Sequence, residues 1–176
     1  MKELSLHLLD LIENAVAAGA TRVEVEVVED AAADRLALVV RDNGRGMPPE
    51  LAARATDAFT TTRTTRPVGM GLALLAGAAE QAGGWARVTS SPGEGTAVEA
   101  CFQLSHVDRA PLGRVEHTLA AAATLHPELG LVYTHRTARG AFTLRLPLPS
   151  RLGPARLAAE VARLVGQGRA RIGSAA

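Results

Sequence analysis

The sequence predicts an α+β protein: a two-layer sandwich with helices on one face of a mostly antiparallel sheet, followed by a smaller helix, hairpin, helix extension. Two observations carry this. Apolar residues recur at helical spacing in the opening segment, and four later segments alternate apolar and polar residues with a period of two. With 176 residues and 47% hydrophobic content, the chain has enough apolar material to fill one core.

Leu4, Leu8, Leu11, Ile12 and Ala15 fall on one helical stripe and Gly19 supplies a stop, so residues 2–18 read as a helix with a polar opposite face. Val23, Val25 and Val27 then alternate with Arg22, Glu24 and Glu26, and Leu36, Leu38 and Val40 resume the period after an Ala/Asp turn. This is a pair of antiparallel strands, each with one solvated face. Pro48 and Pro49 open a short helix toward Ala55, and residues 59–67, crowded with threonine and arginine, have no period and read as a loop. A second long helix is expected over residues 70–82, ending at Gly83-Gly84. Strands over 85–90 and 96–104 follow, joined through Pro92-Gly93-Glu94-Gly95.

Beyond His106 the pattern restarts with a helix over 112–125, a hairpin of 129–135 with 140–146, and a helix over 154–165. We therefore expect residues 1–105 to form the main domain and 106–165 an appended subdomain. Residues 166–176, rich in Gly, Ala and Arg, read as a mobile tail with too little apolar content to pack.

Composition narrows the function. Lys plus Arg (19) nearly equals Asp plus Glu (18), with no basic stripe, which argues against nucleic acid as a partner. The chain has no run of about 20 apolar residues and no signal-like N-terminus, so a cytoplasmic location without membrane attachment is expected. Cys101, the single cysteine, reads as a small buried hydrophobe in a strand. The chain has five histidines, His7, His106, His117, His126 and His135. His7 reads as structural on its helix and the others as surface residues.

Four short elements point to a nucleotide site. Asp10 and Asn14, four apart on the opening helix, share its polar face, and the Asn14 carboxamide oxygen suits a hard cation such as magnesium. Asp42, Gly44, Gly46 and Met47 follow directly after a strand. A carboxylate there can accept from the adenine amine, while the glycines let backbone approach the ring. Gly69, Met70, Gly71 and Leu72 open a helix whose N-terminal N–H groups attract phosphate, with Arg63 and Arg66 placed to meet terminal phosphates. Gly93, Gly95 and Thr96 join two strands, and the Thr96 hydroxyl can enter the adenine network with Asp42.

In identity, order and spacing these elements resemble the N, G1, G2 and G3 boxes of the Bergerat (GHKL) superfamily of gyrase, mismatch-repair ATPases and histidine-kinase catalytic domains. The segment from Phe59 to Arg63 is similar to the F box of histidine kinases. The likeness covers residues 1 to about 104, and the whole chain resembles small stand-alone histidine-kinase-like proteins of bacteria, some encoded beside iron hydrogenases. It implies ATP and Mg2+ as ligands. One departure bears on chemistry: where the ATPase branches usually carry a glutamate as general base, this chain has the shorter Asp10, and Glu13 is offset to another face. With no phosphoacceptor segment before the first box, the resemblance implies an ATP-driven switch acting on a partner protein, with weak ATPase activity. A kinase acting in trans on His, Ser or Thr and a non-hydrolysing scaffold are the alternatives, and a homodimer is a candidate assembly.

Overall fold

In the computed structural model, residues 3–56, 71–148 and 152–174 are described. They form α1 (Leu4–Ala17), β1 (Arg22–Asp30), β2 (Arg35–Asp42), α2 (Pro49–Ala53), α3 (Gly71–Gln81), β3 (Trp85–Ser91), β4 (Gly95–Gln103), α4 (Val115–Leu125), β5 (Gly130–Thr137), β6 (Gly140–Leu146) and α5 (Pro154–Ile172). The strands make one mixed sheet in the order β3-β4-β2-β1-β5-β6. Every pairing is antiparallel except β1 with β5, which run parallel.

Period-two alternation sets the layers. Val23, Val25 and Val27 of β1 lie beside Leu36, Leu38 and Val40 of β2 and Val98, Ala100 and Phe102 of β4, and all are buried with the apolar stripe of α1 (Leu4, Leu8, Leu11, Ile12, Ala15). The other sheet face carries Glu24, Glu26, Arg41, Glu99 and Arg136, where Glu26 pairs with both Arg41 and Arg136. At roughly 2 kcal/mol per buried Val or Leu side chain, burial on the helix-facing side is the main term holding helices to sheet. Strand β2 departs from the solvated face expected of it, because Ala37 and Val39 are buried as well.

The hairpin of β5 and β6, expected within an appended subdomain, extends this same sheet, because β5 aligns along β1 from Arg22↔Gly130 to Val28↔Arg136. The segment before α4 also meets α1: Leu4 N–H donates to Pro111 O and Ser5 N–H to Leu112 O, both at 2.9 Å. Those carbonyls satisfy N–H groups that the first turn of a helix leaves unpaired.

Two expectations are corrected here. The helix expected to end at Val165 runs on to Ile172, so residues 166–172 are not a tail. Val161, Val165, Gly168 and Ile172 form a buried stripe in which Gly168 takes the place of an apolar side chain. His135, expected at the surface, is fully buried, because pairing of β5 with β1 turns every second residue inward. Burial lowers its pKa and raises that of Tyr133, so a neutral imidazole meets a protonated phenol. The Tyr133 hydroxyl then donates to His135 Nδ1 at 2.8 Å, and His135 Nε2–H donates to Glu29 Oε1 at 2.7 Å. Ser174, just past α5, donates to the same carboxylate and fixes the end of that helix.

His7 is buried on α1, and its Nδ1 has no hydrogen-bond partner among the described residues. Burial pushes its pKa down to about 4. Below the ordinary histidine value the unfolded chain takes up a proton that the folded chain refuses, so stability falls as pH drops from about 6.5 toward 4. We expect the urea midpoint to fall across that window and His7→Leu to flatten the fall. A variant with the wild-type slope would show that His7 is not responsible. Among the described residues no helix is long and apolar enough to cross a membrane.

Candidate nucleotide site

The core gives way to polar side chains at one end of the sheet. Register places Val25, Val40, Val98 and Val88 side by side across β1, β2, β4 and β3, and the next row toward the strand ends reads Val23, Asp42, Thr96 and Ser90. Asp42, Thr96 and Ser90 thus stand on the helix-facing side of the sheet, half-buried, where apolar residues would otherwise continue. A row of this kind needs polar partners, and the loop after β2 supplies them.

Gly44 N–H donates to Asp42 Oδ1 at 2.7 Å, and Met47 N–H to Ser90 Oγ at 2.9 Å. Arg45 N–H reaches Ala18 O at the end of α1, while Arg45 O accepts from Gly93 N–H in the β3–β4 turn. The loop is therefore tied to α1 on one side and to the β3–β4 turn on the other. Gly46 has φ +65°, and a Cβ there would sit 1.9 Å from Ser91 O. Gly95 has φ +92°, and its Cβ would lie 2.0 Å from Asp42 O. Both glycines are required first by backbone meeting backbone within the protein, which for Gly46 is a different reason from the approach to a ring expected from sequence.

The C-terminal half of α1 overlooks this end. Ala18, whose N–H donates to Asn14 O, is the residue against which Gly44 packs; a Cβ on Gly44 would be 2.9 Å from Ala18 Cβ. Asn14 lies one turn earlier, half-buried, and its carboxamide has no hydrogen-bond partner among the described residues. One turn earlier again is Asp10, whose Oδ2 would be 3.4 Å from a Cβ on Gly71, the first described residue of α3. Burial, with Glu13 adding to it, raises the Asp10 pKa. Glu13 itself turns away, its Oε1 2.9 Å from His126 Nε2 at the end of α4.

The structure thus brings Asp10 to Gly71, and joins Asp42, Gly44, Gly46, Met47 and Thr96 through one hydrogen-bonded loop whose Gly44 rests on the helix end just past Asn14. Leu72 packs against the hydrophobic core. Phe59, Arg63, Arg66, Gly69 and Met70 lie outside the described residues. Two residues were missed by sequence reasoning. Ser90 links Met47, Gly95 and Thr96, and its only sequence signal is a polar residue at an inward strand position. Asn43 accepts from Thr21 N–H and Arg22 N–H and so fastens the loop to the start of β1.

As to a metal, no group of three or more His, Cys, Asp or Glu converges among the described residues. An amide oxygen with a nearby carboxylate fits Mg2+, which takes few protein ligands and completes its shell with phosphate and water.

Comparison with known proteins gives the family and the fold. Residues 2–106 match the family described as histidine kinase-, DNA gyrase B- and HSP90-like ATPases. The chain is 31% identical over 108 residues to a putative sensor histidine kinase NtrY-like of Rickettsia conorii, covering 60% of this chain and 18% of that protein. It is 33% identical over 111 residues to the non-motile and phage-resistance protein of Caulobacter vibrioides, covering 58% and 13%. The chain spans less than a fifth of the length of these relatives. Among solved structures, the ATPase domain of Aquifex aeolicus MutL complexed with ADP superposes with a TM-score of 0.53 at 19% identity, over 93% of this chain and 70% of that one. The N-terminal domain of a DNA repair protein gives 0.57 at 15%, over 92% and 57%. These two likenesses bear on the fold, and their coverage of more than nine-tenths of the chain reaches beyond the residues that the family match spans. With the family match spanning more than half its residues, the chain belongs to the histidine kinase-, DNA gyrase B- and HSP90-like ATPases.

Proposed function

We propose that this protein binds ATP between the sheet end and α1 and serves as a nucleotide-dependent switch on a partner protein, with slow hydrolysis resetting it. The observation that carries the reading is the hydrogen-bonded loop that holds Asp42 and Thr96 beside the C-terminal end of α1, while Asp10, two turns earlier on the same helix, meets the first described residue of α3. In this reading the Asp42 carboxylate accepts from the adenine amine, Thr96 joins it, and the phosphates lie toward Gly71 and Asp10. Asn14 and phosphate oxygens hold Mg2+, which when bound neutralises charge on the phosphates.

In this reading Asp10 accepts a proton from water as the water oxygen bonds to the terminal phosphorus and ADP leaves. The raised pKa suits that task, because a carboxylate of ordinary acidity is a weak base at neutral pH. Phe59, Arg63, Arg66, Gly69 and Met70 complete the proposal on the phosphate side. A protein kinase acting in trans uses the same binding mode, so labelled ATP separates the two. Phosphate released by the protein alone supports the switch, and label appearing on an added protein supports the kinase.

For Asp10→Asn we expect phosphate release to drop at least about a hundredfold, the lower edge of general-base effects, with ATP affinity changed less than about threefold. Release at the wild-type rate would remove Asp10 as the base.

A further inference from the structure

One hydroxyl in the polar row has chemistry that goes beyond tying the loop in place. Ser90 Oγ lies 2.7 Å from Gly95 O, 2.9 Å from Met47 N and 3.0 Å from Thr96 Oγ1. A serine hydroxyl has one proton and two lone pairs. The Gly95 carbonyl can only accept and the Met47 amide can only donate. One assignment makes all three contacts hydrogen bonds: Ser90 gives its proton to Gly95 O and accepts from both Met47 N–H and the Thr96 hydroxyl. That assignment also uses the single Thr96 proton, so Thr96 Oγ1 offers lone pairs alone to anything bound beside it.

Its neighbour across the β2–β4 register, Asp42, is an acceptor for an independent reason. Asp42 Oδ1 already receives Gly44 N–H, and Oδ2 has no partner among the described residues. The sheet end therefore presents two acceptors on paired residues of adjacent strands, whose side chains stand about 5 Å apart in such pairs.

We propose that Ser90 is the positioning residue for base selectivity: by holding the Thr96 hydroxyl as an acceptor, it tunes the Asp42–Thr96 end for a 6-aminopurine and against a 6-oxopurine. The proposal rests on the reading of Asp42 as the base-recognition residue. An exocyclic amine has two diverging N–H groups and satisfies two acceptors, whereas a 6-oxo group sets lone pairs against lone pairs. The same polarity holds through one bridging water. Such a water donates to Thr96 and to purine N1, which is an acceptor in adenine and an N–H in hypoxanthine. Without Ser90 the Thr96 proton is free to turn toward the ligand, and the discrimination weakens.

The test compares Kd for ATP and for inosine triphosphate in the full chain, with Ser90→Ala, Thr96→Val and Asp42→Asn. Wild type should prefer ATP, and Ser90→Ala should reduce the ATP-to-ITP preference about tenfold, with ITP binding improved. A merely structural serine would weaken both nucleotides equally, and an unchanged ratio overturns the proposal. Should Ser90→Ala fail to fold, Thr96→Val decides: ATP affinity should fall while ITP affinity holds, and equal losses overturn it. Asp42→Asn separates the two levels. If it keeps wild-type ATP affinity, the base-recognition reading has failed; if it loses affinity while the Ser90→Ala ratio stands, only the role of Ser90 has.

Discussion

Asp42→Asn should weaken ATP binding about a hundredfold while leaving the fold in place. The two parts of this expectation come from the two oxygens of one carboxylate. Oδ1 accepts from Gly44 N–H at 2.7 Å, and an asparagine carbonyl can keep that bond, so the loop remains tied. The other position then carries an NH2 group where Oδ2 stood. A hydrogen bond to a charged acceptor, worth about 1.5–3 kcal/mol, is replaced by two donors facing each other, and about 3 kcal/mol corresponds to a Kd change of two orders of magnitude. Calorimetry in magnesium buffer reads the affinity and thermal unfolding reads the fold. An affinity within threefold of wild type at an unchanged melting temperature would remove Asp42 from the site. Loss of both together would show that the carboxylate is needed for folding.

The reason Asp42 can be singled out is visible in the chain itself. The alternation Leu36, Leu38, Val40 points the next inward position at residue 42, so a carboxylate there lies on the core side of the sheet, where an unpaired charge is costly. The same count applied to β3 gives Ala86, Val88 and Ser90. Ser90 went unread because serine near a Pro-Gly turn is ordinary and its partners come from residues 95 and 96, brought by the β3–β4 register, and residue 47, brought by the loop after β2. Local periodicity also placed α1, the first four strands and the β5–β6 hairpin close to where they stand. It does not say that β5 lies parallel beside β1, because a parallel pairing is made through distant residues and leaves no local pattern. For the same reason the burial of His135 and Glu29 was hidden: each is an inward residue of a strand whose neighbour was unknown.

The extent of α5 was misjudged for a physical reason that two glycine substitutions should expose. Gly166-Gln167-Gly168 looks helix-breaking, since each glycine costs about 1 kcal/mol relative to alanine inside a helix. The two glycines differ in what surrounds them. At Gly166, exposed, an added Cβ meets nothing within 4 Å, so Gly166→Ala should stabilise the protein by about 1 kcal/mol. At Gly168 the Cβ would fall 2.4 to 2.6 Å from three ring carbons of Phe142 on β6. That ring packs against Tyr133 and His135, with centroids 5.8 and 6.0 Å away, so it cannot swing aside without disturbing the buried Tyr133–His135–Glu29 chain. Overpacking of this kind costs about 1–3 kcal/mol; at the top of that range, which a contact this close to a held ring demands, it exceeds the gain in propensity of about 1 kcal/mol and leaves Gly168→Ala net destabilising by about 2 kcal/mol. The gap between the variants, about 3 kcal/mol in urea unfolding, measures how closely α5 lies on β6. A mobile segment has no such contact, and in it both alanines would raise stability alike; that result would detach the last two turns of α5 from the sheet.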